Sequence, residues 1–216
     1  MRGLKLERID LYQWHAPDLK VPFDESIGAL KDLRDEGKIR HLGLSNVSVA
    51  QLARARAIVP IASVQNRYNS GSRESDSLVD VCTRDGLAFL PYFPIDAGDL
   101  ARASGTLRDV AERRGATTAQ IALAWLLQRS PAVLPIPGTS SLTHLAENVA
   151  AAVIHLDEDD LQALAAERKR PRSNAAIFNV VGSAGLEPAT PCVSCKCSTP
   201  ELTALATWGT GGAYTP

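Results

Sequence analysis

The sequence predicts an α/β fold built on a parallel sheet, of the barrel kind rather than doubly wound, and three observations carry that expectation. Short apolar runs of strand length alternate with longer runs of 3.6-residue period, and such alternation builds βαβ units. Glycines stand where the helical runs must stop, as in Glu36-Gly37-Lys38, Asp85-Gly86 and Arg114-Gly115, and two of them lead straight into the next apolar run. A doubly wound dinucleotide domain carries Gly-x-Gly-x-x-Gly after its first strand. This chain has His15-Ala16-Pro17-Asp18 there instead.

The elements follow in order. The predicted strands are Arg8-Ile9-Asp10-Leu11-Tyr12-Gln13-Trp14, Ile39-Arg40-His41-Leu42-Gly43-Leu44, Ile61-Ala62-Ser63-Val64, Leu87-Ala88-Phe89-Leu90 and Ala132-Val133-Leu134-Pro135-Ile136. Helical stripes run through Ile27, Leu30 and Leu33, then Leu52, Ala55 and Ile58, then Leu78, Val81 and Cys82. Two more run through Ile121, Ala124, Trp125 and Gln128, and through Leu145, Val149 and Ala152. Ser48-x-x-Gln51 and Thr117-x-x-Gln120 have the form of a capping box, in which side chains satisfy the orphan N–H groups of a helix start.

Length and composition set the frame. A chain of 216 residues buries one sizeable core, so the expectation is a folded domain over residues 1–170 and an appendage over 171–216. The appendage lacks a period, is rich in Gly, Pro, Ser and Thr, and is expected to be unstructured and non-native. A formal net charge of −1 offers no general attraction to nucleic acid or anionic lipid. No apolar run reaches the roughly 18 residues of a membrane span and no signal peptide opens the sequence, so a cytoplasmic location is expected. Cys82 stands alone in the body, which argues against a disulfide framework. Cys192-x-x-Cys195-x-Cys197 offers three ligands without a fourth, so no metal site is expected.

Residues just past the strands of a parallel barrel converge on one face, and that face carries the active site. Here those positions hold His15, Ser45-Asn46, Gln65-Asn66, Tyr92 and Gly138-Thr139-Ser140-Ser141. Singly, each has an ordinary explanation: a structural histidine, a turn or helix cap, a backbone-paired glutamine, a core tyrosine. Their shared position favours a pocket of convergent polar groups. His41 and His155 lack partners at metal-ligand spacing. Asp157-Glu158-Asp159-Asp160 is expected to be a cap with a solvated first turn, and Arg168-Lys169-Arg170 a helix end favoured by the dipole.

Four motifs give a resemblance to a known family. Asp10-Leu11-Tyr12-Gln13-Trp14-His15-Ala16-Pro17-Asp18, Ile39-Arg40-His41-Leu42-Gly43-Leu44-Ser45-Asn46, Val64-Gln65-Asn66-Arg67-Tyr68-Asn69 and Ile136-Pro137-Gly138-Thr139-Ser140-Ser141 resemble consecutive signatures of the aldo-keto reductases. The resemblance covers about residues 4–168. It implies a partial TIM (β/α)8 barrel, about strands four to eight, in an oxidoreductase that reduces aldehydes or ketones with NADPH.

The resemblance also implies roles. His15 is the histidine of the catalytic tetrad, hydrogen-bonding the carbonyl oxygen of a small substrate. Ser45, Asn46 and Gln65 hold the nicotinamide carboxamide, which offers both donor and acceptor. Tyr92 stacks on the nicotinamide and Ile95 adds an apolar contact, while Phe93 replaces a serine common among relatives. Residues 138–148 hold the adenosine end at a helix N-terminus, with Glu147 and Asn148 facing adenine. Gly138 and His144 stand where many relatives have a lysine and an arginine that clamp the 2′-phosphate. Thr139 and Ser140 remain as neutral donors, so NADPH is the expected cofactor and NADH stays possible.

The tetrad's aspartate, tyrosine and lysine belong to the family's first three strands and map to nothing in this sequence. The chain is therefore expected to be inactive alone, with exposed barrel edges open to self-association. Two alternatives stand beside the enzyme reading: a non-catalytic dinucleotide-binding module, and an interaction fragment that completes its barrel with another chain.

Overall fold

The computed structural model describes residues 6–98 and 105–166. Four parallel strands lie side by side in chain order: β1 (Ile9–Trp14), β2 (Ile39–Ser45), β3 (Ile61–Gln65) and β4 (Ala88–Phe89). Helices α1 (Phe23–Asp35), α2 (Val49–Ile58) and α3 (Asp76–Asp85) cross from each strand to the next. After β4 come α4 (Thr106–Arg114), α5 (Thr118–Arg129), α6 (Leu142–Ala150) and α7 (Glu158–Ala166). The register sets Trp14 beside Leu44 and Ser45 beside Gln65, so the strand ends that carry the polar residues are neighbours.

The local signals act as the sequence requires. Ser48 Oγ accepts from the Gln51 N–H at 3.2 Å while the Gln51 side chain accepts from the Ser48 N–H at 2.8 Å. Thr117 and Gln120 repeat the arrangement at the start of α5. Gly86 and Gly115 end α3 and α4 in the left-handed region, with φ of 67° and 61°, where a Cβ would clash with backbone.

Leu42, Leu44, Val64 and Phe89 are buried in one core with Ile27, Leu52, Val79, Ile121 and Leu126. The alternate positions of the strands form a second face that is polar at its centre. There the Ser63 hydroxyl donates to Gln13 Oε1 at 2.9 Å and Gln13 Nε2 donates to the Leu44 carbonyl at 2.7 Å. Gly43 makes room for this bridge, because a Cβ on it would stand 2.1 Å from Gln13 Oε1.

Three expectations need correction. The fifth predicted strand pairs with β4 only where Val133 meets Phe89, through two hydrogen bonds of 2.8 Å. Pro135 and Pro137 have no N–H to extend the ladder, and among the described residues the sheet ends there. The stripe Leu145, Val149 and Ala152 faces outward, with Leu145 and Val149 50% and 68% exposed, and Ala151 is buried instead.

The acidic run Asp157-Glu158-Asp159-Asp160 is only partly solvated. Asp157 caps α7 by accepting from the Asp160 N–H at 3.0 Å, as expected. Asp160 is 1% exposed and accepts from Arg113 Nη2 at 2.7 Å and Arg114 Nε at 2.5 Å, tying α7 to α4.

The chain divides into a unit of residues 1–171 and a unit of residues 172–216. The predicted unstructured tail, its three cysteines and Arg168-Lys169-Arg170 lie outside the described residues. No helix among the described residues is long and apolar enough to cross a membrane.

Candidate active site

Asn46 is the hub of the polar strand ends. It follows β2 in the left-handed region, with φ 58°, which asparagine tolerates better than most side chains. Its Nδ2 donates to the His15 carbonyl at 2.8 Å and to Ser45 Oγ at 3.1 Å, and its Oδ1 accepts from the Tyr92 hydroxyl at 2.7 Å. The Ser45 hydroxyl and the Asn46 N–H both donate to the Gln65 carbonyl, at 2.7 and 3.1 Å. His15, Ser45, Asn46, Gln65 and Tyr92 are thus joined in one network across β1, β2, β3 and the segment after β4. Asn66 closes the same end of the sheet, donating from Nδ2 to the Val47 carbonyl and accepting from the Val47 N–H at 2.9 and 3.2 Å.

The network leaves some groups for a ligand and uses others as scaffold. Ser45 is 2% exposed and both N–H groups of the Asn46 amide are engaged. His15 is exposed at the end of β1, and among the described residues no hydrogen bond engages the Gln65 side-chain amide. Tyr92 is half-buried, and burial raises its phenol pKa, with Arg67 opposing the rise.

Ile95 is half-buried in the turn beyond Tyr92, between Phe93 and Asp96, which have φ of 53° and 48°. Arg67 Nη2 donates to Asp96 Oδ1 at 2.5 Å, and Asn69 Nδ2 donates to the Phe93 carbonyl at 2.9 Å. Sequence reasoning did not single out Arg67, Asn69 or Asp96. The first two lie inside a quoted motif, but a pair 29 residues apart leaves no periodic signal.

Residues 138–148 form a second group. Open space surrounds the Cβ position of Gly138. Thr139 Oγ1 accepts from the Ser141 N–H at 3.1 Å, and Ser141 Oγ caps α6 by accepting from the His144 N–H at 3.3 Å. Thr139, Ser140 and His144 are exposed, while Glu147 and Asn148 are half-buried. The Glu147 carbonyl accepts from Gln120 Nε2 at 3.1 Å, which seats α6 on α5. Among the described residues no hydrogen bond joins this group to the His15 network.

Comparison with known proteins bears on this arrangement. The profile of the Aldo/keto reductase family matches residues 1–168. Pyridoxine 4-dehydrogenase of Escherichia coli is 45% identical over 157 residues, which are 73% of this chain and 54% of that protein. An uncharacterized oxidoreductase of Schizosaccharomyces pombe is 42% identical over 169 residues, covering 78% of this chain and 55% of its own length. The chain therefore spans about half the length of the curated relatives it matches. Among solved structures, an aldo-keto reductase from Klebsiella pneumoniae in complex with NADPH superposes with a TM-score of 0.68 at 30% identity. That match covers 79% of this chain and 62% of the other. A thermostable aldo-keto reductase with the inhibitor epalrestat gives the same TM-score and identity over 76% and 62%. The chain belongs to the aldo/keto reductase family.

Proposed function

We propose that this chain carries the cofactor face of a carbonyl-reducing site: an oxidoreductase reducing aldehydes or ketones to alcohols, with NADPH as the cofactor. The observation that carries the proposal is the single hydrogen-bonded network of His15, Ser45, Asn46, Gln65 and Tyr92 at adjacent strand ends. The order of the four motifs further assigns β1 to β4 and residues 132–136 to the fourth to eighth strands of the family's barrel.

The residues present fit the group. The Gln65 amide offers the paired donor and acceptor that a carboxamide needs, and Asn46 Oδ1 keeps a second lone pair beside the Tyr92 hydroxyl. Ser45 holds Asn46 rather than reaching out, because it is buried. Tyr92 provides a ring face for stacking and Ile95 an apolar neighbour. Residues 138–148 take the adenosine end, with Ser141 starting α6, Thr139 and Ser140 exposed, and Glu147 and Asn148 beside adenine. Gly138 and His144 stand where many relatives carry a lysine and an arginine, which relaxes the preference for a 2′-phosphate and leaves NADH as a second cofactor. When bound, the cofactor supplies the hydride.

His15 hydrogen-bonds the substrate oxygen as negative charge gathers on it. The proton must come from another group. Tyr92 stands in the network, but burial moves its pKa upward, the wrong direction for an acid working near neutrality. We infer that the acid, with the lysine and aspartate that tune it, belongs to a part of the family's barrel that these residues do not contain, and that this chain alone does not turn over.

The test is oxidation of NADPH with an aromatic aldehyde, with and without a separately expressed N-terminal half from a relative. No turnover alone, and turnover in the mixture that His15→Ala removes, is the expected result. Turnover by the chain alone that His15→Ala abolishes would overturn the missing-acid argument. NADPH binding with no turnover in the reconstituted mixture would favour a non-catalytic dinucleotide-binding module.

A further inference from the structure

We propose that Arg67 is a positioning residue for the cofactor face: paired with Asp96 and laid against Phe93, it holds the left-handed turn after Tyr92 and cancels the Asp96 carboxylate before an anionic dinucleotide. The proposal rests on the reading of Tyr92 and Ile95 as cofactor contacts.

The turn is one that these side chains do not adopt by preference. Phe93 and Asp96 both have positive φ, at 53° and 48°, three positions apart and without glycine at either. Such conformations persist where surrounding contacts over-determine them, and they collect at ligand sites. The turn's own hydrogen bonds are short-range: the Asp96 N–H donates to the Phe93 carbonyl at 3.0 Å and the Gly98 N–H to the Ile95 carbonyl at 2.9 Å. Long-range restraint comes from the segment after β3, through Asn69 on the Phe93 carbonyl and Arg67 on Asp96.

Arg67 is placed to restrain both ends of the turn. Its backbone bridges Tyr92 in parallel fashion, and its guanidinium carbon lies 5.6 Å from the Phe93 ring centroid. The Phe93 ring in turn meets Tyr92 edge-on at 5.5 Å and 72°. A planar cation that pairs and stacks at once suits arginine and not lysine. Arg67 Nε is buried without a hydrogen-bond partner among the described residues, a cost that a residue serving packing alone would not need.

The Arg67 and Asp96 side chains are 17% and 15% exposed, so their interaction is only partly screened. With Arg67 absent, the Asp96 carboxylate would stand uncompensated one residue from Ile95 and four from Tyr92, on the face where a polyanionic dinucleotide binds. A latch and a charge mask are separable functions, and different variants remove them.

The experiment uses the full chain as wild type, Arg67→Met, Arg67→Lys and the double variant Arg67→Met with Asp96→Asn. Hydrogen exchange is followed at the Asp96 and Gly98 amides, with the α5 amides as a control for global unfolding, and NADP+ affinity is measured by saturation-transfer NMR. Arg67→Met is expected to speed exchange of the two turn amides by about tenfold while α5 is unchanged. It is expected to weaken NADP+ binding by about fivefold, and Arg67→Lys to recover binding more than exchange. The double variant should recover binding without recovering slow exchange.

Unchanged exchange in Arg67→Met overturns the latch, and a double variant that binds no better than Arg67→Met overturns the charge mask. Exchange that rises equally in α5 shows a general stabilising role and also overturns the proposal. Absence of saturable NADP+ binding by the wild type overturns the functional reading, and the exchange arm still decides the latch.

Discussion

Asn46 shows how much one side chain organises at this site. It holds a left-handed backbone, bonds the His15 carbonyl and Ser45, and receives the Tyr92 hydroxyl. Asn46→Ala removes three side-chain hydrogen bonds and leaves a residue less suited to φ 58°. The expected loss of stability is about 2–3 kcal/mol by urea denaturation, with Asn46→Gly recovering the backbone part but not the rest. A loss equal in the two variants would mean that the hydrogen bonds alone carry the effect. Asn46, like His15, Gln65 and Tyr92, was legible in the sequence because strand ends in a parallel sheet are brought together by topology. The Arg67–Asp96 pair was not legible. It depends on a turn whose left-handed residues carry no glycine signature, and only the folded chain brings the two together.

Among the elements, those with local instructions were the most legible. The capping boxes of α2 and α5 and the glycine ends of α3 and α4 are specified within a few residues, and they form as the sequence predicts. The outward stripe of α6 and the single bridge at Val133 were not legible, because period alone does not tell which neighbour covers a face. Asp160 was misread for a similar reason: its arginine partners lie 46 and 47 positions away in α4.

Contacts between elements also set a pH dependence. Asp85, the last residue of α3, has a carboxyl held down to about 2, first by its hydrogen bond with Arg84 and then by Arg56 of α2. A depressed carboxyl pKa adds stability that is fully present above the unfolded value of about 4 and disappears as pH falls through the folded value. Asp85→Asn is therefore expected to lower the melting temperature near pH 6, with the deficit shrinking towards zero between about pH 4 and 2. Thermal scans across that range check it. A deficit independent of pH would show that shape, not charge, joins α2 to α3.

At the scale of the molecule, the described sheet is open. Leu11, Leu134 and Ile136, from its two edges, are each about 40% exposed, and Leu142 and Val153 are more so. Apolar area of this kind favours association, and we propose that it makes the chain prone to pair with itself or with a chain that completes the barrel. It also bears on the cofactor. A dinucleotide cradle binds tightly only when its parts are held before the ligand arrives, and an open sheet leaves ordering to be done on binding. We propose that the His15–Asn46–Gln65–Tyr92 network forms the nicotinamide end of that cradle. Titration of the chain with NADPH, followed by nucleotide fluorescence, tests it most directly when wild type is compared with Gln65→Ala and Tyr92→Leu. Saturable binding weaker than micromolar is expected in the wild type, reduced about tenfold in either variant. Binding that both variants leave unchanged would contradict it, and so would a wild type that shows no saturable binding.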